Sequence, residues 1–123
     1  MSQEPHTAQG IADHVRAALE SADLADFSAL LDPNVQWGAP GDPKPTCRNR
    51  EQVLAWYRRG QEAGTTARVT ELSVLDDKIL VGLMVLRQGE YVERWQIFTV
   101  GPAGVADIRG FEDRRSAASF VGI

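Results

Sequence analysis

The tetrapeptide Glu93-Arg94-Trp95-Gln96 sets two charges and a primary amide into a run, Glu90 to Val100, that otherwise reads as an apolar strand. Side chains alternate along a strand, so Val92, Arg94, Gln96 and Phe98 share one face, while Glu93, Trp95 and Ile97 share the other. Arg94 is suited to hold a carboxylate, enolate or phenolate oxygen, and Gln96 to orient a carbonyl by donating a hydrogen bond. Both interactions gain strength where water is excluded. A slip of one residue in register turns Glu93 inward instead, as a general base. The purely structural alternative is an ion pair between Arg94 and a carboxylate such as Glu112.

Trp37, Trp56 and Tyr57 have the shapes to wall a pocket for flat or ring-shaped ligands, with the phenol as a polar handle, although each also suits plain core packing. His14 is three residues from Ile11, at the edge of an apolar helical stripe or in solvent, and a structural role is expected for it. Cys47 has no readable base beside it and reads as a buried, inert thiol. Two histidines, one cysteine and scattered carboxylates make no metal-ligand spacing, and no glycine-rich strand-to-helix turn offers a dinucleotide site. Neither a metal nor another cofactor is expected. The pairs Arg58-Arg59 and Arg114-Arg115 read as solvated helix surface.

These residues need elements to position them. Ile11, Val15, Ala18, Leu19 and Ala22 fall on one face of a first helix, Ile11 to Ala22. Asp23 can cap a second helix that buries Leu24, Phe27, Leu30 and Leu31 and stops at Asp32-Pro33, because the residue before proline avoids helical geometry. A short strand, Asn34 to Gly38, and an irregular loop with Pro40, Gly41, Pro43 and Pro45 follow. Asn49 and Gln52 form a capping-box pattern that opens a third helix, running to about Ala63, with Val53, Trp56, Tyr57 and Gly60 toward its inward side and Gly64 as its stop. From Arg68 the period changes to two. Arg68 to Leu75, Lys78 to Arg87, Glu90 to Val100 and Val105 to Glu112 read as an antiparallel meander with turns at Asp76-Asp77, Gln88-Gly89 and Gly101 to Gly104. Asp113 caps a last short helix ending near Phe120. Strands of about ten residues, at roughly 3.3 Å each, must twist and coil, and the concave face is where a cavity is expected.

The chain has 123 residues, 43% hydrophobic and 24% charged, which suits one globular domain, taken as residues 10–123 behind a polar, frayed segment at residues 1–9 that includes His6. No apolar run approaches the length of a membrane span. A net charge of −4 gives no broad attraction to phosphate backbones, so neither nucleic acid nor membrane is an expected partner. A single cysteine and the lack of a secretory pattern at the start point to the cytoplasm. The strand Lys78 to Arg87 is apolar on both faces. Its outer side, with Leu80, Met84 and Leu86 and with Trp95 on the neighbouring strand, therefore calls for a cover, and a homodimer through the outer sheet face is the expectation.

The order helix, helix, short strand, helix and four-strand meander resembles the nuclear transport factor 2-like superfamily, and within it the SnoaL-like branch. Ala18-Leu19-Glu20-Ser21-Ala22-Asp23-Leu24 and Cys47-Arg48-Asn49-Arg50-Glu51 carry that likeness. It spans about Gly10 to Ile123 and implies an α+β fold, a cone-shaped, curved mixed sheet packed against three N-terminal helices. The superfamily includes ketosteroid isomerase, scytalone dehydratase, limonene epoxide hydrolase and polyketide cyclases, beside non-catalytic modules. Against ketosteroid isomerase, Trp37 stands at the proton-shuttling aspartate, Val15 at the oxyanion-hole tyrosine and Gln96 at the oxyanion-hole acid, while Tyr57 matches a supporting tyrosine. Against the epoxide hydrolase, the Arg-x-Asp pair becomes Arg94-x-Gln96. The resemblance thus implies a small, apolar or ring-containing ligand and, for an enzyme, cofactor-free isomerase, cyclase or lyase chemistry. Arg94, Gln96 and Tyr57 are its candidate catalytic residues, with Trp37, Trp56, Val15 and Phe98 as the ligand-binding set. A module that binds or dimerises without catalysis is the alternative, since no pocket carboxylate is apparent.

Overall fold

The computed structural model describes residues 7–21 and 23–123, so the expectations for His6 and Ala22 and most of those for the N-terminal segment lie outside the described residues. Nine elements follow in order: α1 (Ala8–Ser21), α2 (Leu24–Ala29), β1 (Leu31–Gly38), α3 (Arg50–Glu62), β2 (Thr66–Leu75), β3 (Lys78–Arg87), β4 (Glu90–Gly101), β5 (Gly104–Phe111) and α4 (Arg114–Val121). The strands make one sheet in the order β1-β5-β4-β3-β2. β1 runs parallel to β5 and the other neighbours are antiparallel, which gives the expected α+β architecture with a mixed sheet. Irregular pairing at Val69/Glu71 and at Thr99/Val100 bends the long strands, as bulges do.

Short-range signals set most element ends. The Asp23 carboxylate accepts from the Ala25 and Asp26 amides, Asn49 accepts from Gln52, and Asp113 accepts from Ser116. Each satisfies an amide that the first helical turn leaves without a partner. The box at α3 is not reciprocal in the expected way, because the Gln52 side chain accepts from the Arg48 amide, 2.7 Å away, rather than from Asn49.

The second helix is shorter than its apolar pattern suggests. It ends at Ala29, and Leu31, expected on its buried side, already pairs with Val105 as the first residue of β1. The Val105 amide donates to the Leu30 carbonyl at 2.8 Å, so a contact with β5 decides the boundary. Asp32-Pro33 then lies within β1, between Leu31 and Gln36 where the register shifts, and an edge strand tolerates the missing proline N–H there. Gly104 makes this junction feasible. Its φ is +116°, and a Cβ there would stand 2.7 Å from the Leu30 carbonyl oxygen.

The inner face of the sheet packs on α1, α2 and α3. Ile11, Val15, Phe27, Val53, Ile79, Val81, Phe98 and Ile108 are fully or almost fully buried in that core. The outer face carries a second core of Leu80, Trp95, Ile97, Phe111 and Ala117, with Leu75 and Val121 packed against it. This corrects the expectation that Leu80 and Trp95 need a partner molecule, because the chain's own α4 covers them. Gly82 serves this packing: a Cβ on it would come within 2.6 Å of the Trp95 ring, so the missing side chain is the space the indole fills. Arg114 sits over that indole and donates to Glu71, at 2.8 Å for the shortest contact, tying α4 to β2. Met84 and Leu86, farther along β3, remain half-buried, and Tyr91 opposite Leu86 is 72% exposed.

Candidate functional site

Between α1, α3 and the inner face of the sheet lies a cavity of about 220 Å³. Leu19, Trp56, Ala67, Leu83 and Val85 supply most of its apolar wall, and Glu20, Tyr57, Gln61, Thr65, Thr66 and Gln96 its polar groups. The register on β4 is now defined. Phe98 belongs to the inner core while Trp95 and Ile97 belong to the outer one, so Gln96 faces the helices and Glu93 does not. The Glu93 carboxylate instead accepts the indole N–H of Trp95 on the outer side, which removes it as an inward base.

Tyr57 is held from two sides. Its ring packs on Phe27 of α2, with centroids 4.7 Å apart, and its hydroxyl oxygen accepts from Gln96 Nε2 at 3.3 Å. That bond leaves the phenol's own proton available to donate. Burial pushes the phenol's pKa up to about 12 against the opposing effect of the Gln96 bond, with the nearby Cys47 thiol adding to the rise. Tyr57 is therefore a neutral donor at ordinary pH and no base. Gln96 Oε1 is buried with no hydrogen-bond partner among the described residues. A buried carbonyl oxygen left this way carries a penalty of roughly 1–3 kcal/mol, which a ligand donor at that point would relieve.

The remaining expected site residues fall into four places. Trp56 lines the cavity and stacks on Trp37, with ring centroids 5.1 Å apart. Trp37 itself lies behind that wall and presses no atom into the cavity lining, and its buried Nε1 has no partner among the described residues. Val15 and Phe98 are fully buried in the core beneath, outside the lining. Arg94 lies on the inner face, one pair beyond the last β4–β5 partners, Trp95 and Phe111. Its guanidinium donates to the Glu93 carbonyl at 2.9 Å, makes no ion pair with Glu112 among the described residues, and is not part of the cavity wall. Cys47 is buried against Trp37, and burial raises its thiol pKa even though Arg59 opposes the rise. His14 is exposed on α1.

Glu20 is the charged residue among the several lining positions that sequence reasoning passed over. It sits next to Leu19 on α1 and beside the apolar stripe, where a carboxylate looks like ordinary helix surface. Its Oε2 accepts the Val69 amide, 49 positions away, at 2.8 Å. No local pattern announces such a contact. Among the described residues, no group of three His, Cys, Asp or Glu side chains is placed to hold a metal ion, and no helix is long and apolar enough to cross a membrane.

No family model matches the sequence, and no curated protein matches it. Solved structures do share its fold. A nuclear transport factor 2-like protein of unknown function from Cytophaga hutchinsonii superposes with a TM-score of 0.70 at 10% identity, covering 95% of this chain and 98% of the other. A candidate ketosteroid isomerase from Kribbella flavida gives 0.73 at 18% identity, over 87% and 78% of the two chains. A candidate polyketide cyclase from Sinorhizobium meliloti gives 0.66 at 21%, over 82% and 93%. The chain therefore has the nuclear transport factor 2-like, cystatin-like fold. At these identities the likeness extends to the fold alone, and chemistry has to be argued from the site.

Proposed function

We propose that this protein binds a small, ring-containing, mostly apolar molecule in the cavity between α1, α3 and the sheet. The observation that carries this reading is the pairing of Tyr57 with Gln96 on an apolar wall, which presents a phenol proton and a partnerless amide oxygen at one place. Such a pair suits a ligand oxygen that accepts from Tyr57 beside a group that donates to Gln96. If the bound molecule is turned over, the chemistry is cofactor-independent isomerisation, cyclisation or elimination, with Tyr57 donating to a developing oxyanion; Arg94, outside the cavity wall and bonded to the Glu93 carbonyl, adds positive charge only if its side chain swings inward. The amide at position 96 favours a second reading, a binding or dimerisation module without catalysis, because an amide cannot shuttle a proton. A homodimer is also proposed, now through the uncovered end of the outer face around Met84, Leu86 and Tyr91.

Native mass spectrometry of the full chain, alone and with 2-naphthol or 2-acetylnaphthalene, tests binding and assembly together. A one-to-one complex that disappears in Val85→Phe, which fills the cavity, is the expected result. Adducts that persist in that variant place the ligand elsewhere and overturn the reading, and a monomeric mass overturns the dimer. Should a substrate be found, Tyr57→Phe separates the two readings, since loss of turnover with retained binding marks an enzyme.

A further inference from the structure

Among the described residues, the cavity lining contains one formally charged side chain, Glu20, and no lysine, arginine or histidine. Glu20 stands at the rim, and one of its carboxylate oxygens is engaged: Oε2 accepts the Val69 amide at 2.8 Å and lies 3.8 Å from Arg16 Nη1. Arg16 Nη1 also donates to the Val69 carbonyl at 3.0 Å, so both polar groups of Val69 are taken up by α1. That double hitch anchors the carboxylate to the sheet at the irregularity in β2 and leaves Oε1 with no protein donor among the described residues. Leu83, the partner of Val69 on β3, belongs to the cavity wall, so the anchored carboxylate stands over the same part of the sheet as the ligand space.

We infer that Glu20 gives the cavity its ligand preference, selecting a ring-bearing molecule that carries a protonated amine over neutral and anionic counterparts. The inference rests on the reading of this cavity as a binding site. The charged group of the ligand meets Glu20 Oε1 at the rim, and its ring lies against Leu83, Val85 and Trp56. A charge-assisted hydrogen bond is stronger than a neutral one, while an anion would meet like charge at Glu20; the neighbouring cations stand outside the lining, Arg16 on the Val69 carbonyl and Arg59 over the Trp56 ring. Because the carboxylate is anchored before the ligand arrives, little side-chain freedom is lost on binding. Arg16, half exposed, tempers the local charge from the solvent side.

The test compares three probes of nearly equal shape, phenethylamine, 2-phenylethanol and phenylacetate, on the full chain. Binding is followed by the NMR shifts of the Trp56 indole and Gln96 amide protons. Phenethylamine should bind roughly five- to tenfold more tightly than 2-phenylethanol, with phenylacetate weakest. Glu20→Gln, whose amide oxygen can still accept from Val69, should reduce phenethylamine to the affinity of the alcohol. Glu62→Gln, at the exposed end of α3, should leave the order unchanged, and Arg16→Gln should strengthen amine binding. Equal binding of amine and alcohol to the wild type, or an amine preference that survives Glu20→Gln, overturns the role of Glu20 while leaving the cavity as a binding site. Binding of none of the three removes both the inference and the reading beneath it.

Discussion

Along β4, neighbouring side chains enter opposite environments. Trp95 and Ile97 are sealed on the outer face by α4 and Phe111, whereas Gln96 between them opens into a cavity on the inner face. The outer face is filled by shape: Gly82 makes room for the Trp95 ring, and Arg114 lies over it. The inner face is covered by three helices that do not reach all of it, and polar groups stand where the covering stops. A curved sheet makes this difference unavoidable, because a short helix can seat on its convex side while straight helices cannot follow its concave side to the end. Void and orphaned polarity on one side, and close packing on the other, separate the surface that stabilises from the surface that binds.

The contrast is open to direct test, and the largest expected difference is between two tryptophans. Trp95→Ala should cost about 3–5 kcal/mol in chemical denaturation, as expected for a large buried side chain. Trp56, 42% exposed, should cost under about 2 kcal/mol on the same change while abolishing ligand binding. Equal losses would mean that the two faces do not differ as described. Next in size is Gly82→Ala, where the added methyl must displace the indole, and a loss of about 1–3 kcal/mol is expected, measured in the same way. An unchanged midpoint would show that the indole is free to shift.

The smallest effect concerns Tyr57 and alkaline pH. Its folded-state pKa, about 12, is above the ordinary value of 10.0. Between those values the unfolded chain gives up the phenol proton while the folded chain keeps it. The stabilisation is whole below pH 10 and is lost as pH rises through about 12. Thermal melts of wild type and Tyr57→Phe across this window should therefore converge as pH increases. Parallel curves would mean that Tyr57 is not held as a neutral donor.

Much of this arrangement was legible because its causes are local. Asp23, Asn49 and Asp113 cap helices through bonds spanning two or three residues, and alternating or wholly apolar runs bounded by short turns marked the four long strands. The end of α2 was misread because Leu30 and Leu31 continue an apolar helical pattern, and only the pairing with Val105, far along the chain, closes the helix at the Leu30 cap and takes Leu31 into the sheet. The site divided in the same way. Gln96 stood out as a polar group in an apolar strand and Tyr57 as an aromatic ring with a polar handle, and the fold brings them together. Arg94 stood out equally, yet β5 ends one pair before it and its guanidinium turns to its own backbone. Glu20 gave no signal, since its value as a site residue depends on where Val69 lies.

By itself the sequence determined the element types, the caps, the turns and the two-sided apolar character of β3, because these follow from bonds and periodicities within a few residues. Tertiary structure alone decided three things: that α4 covers Leu80 and Trp95, that Gln96 and not Glu93 faces the helices, and that Glu20 is the charge at the cavity rim. Each depends on the relative placement of strands and helices distant in sequence. That placement is set by how whole faces fit together, which no short window of residues contains.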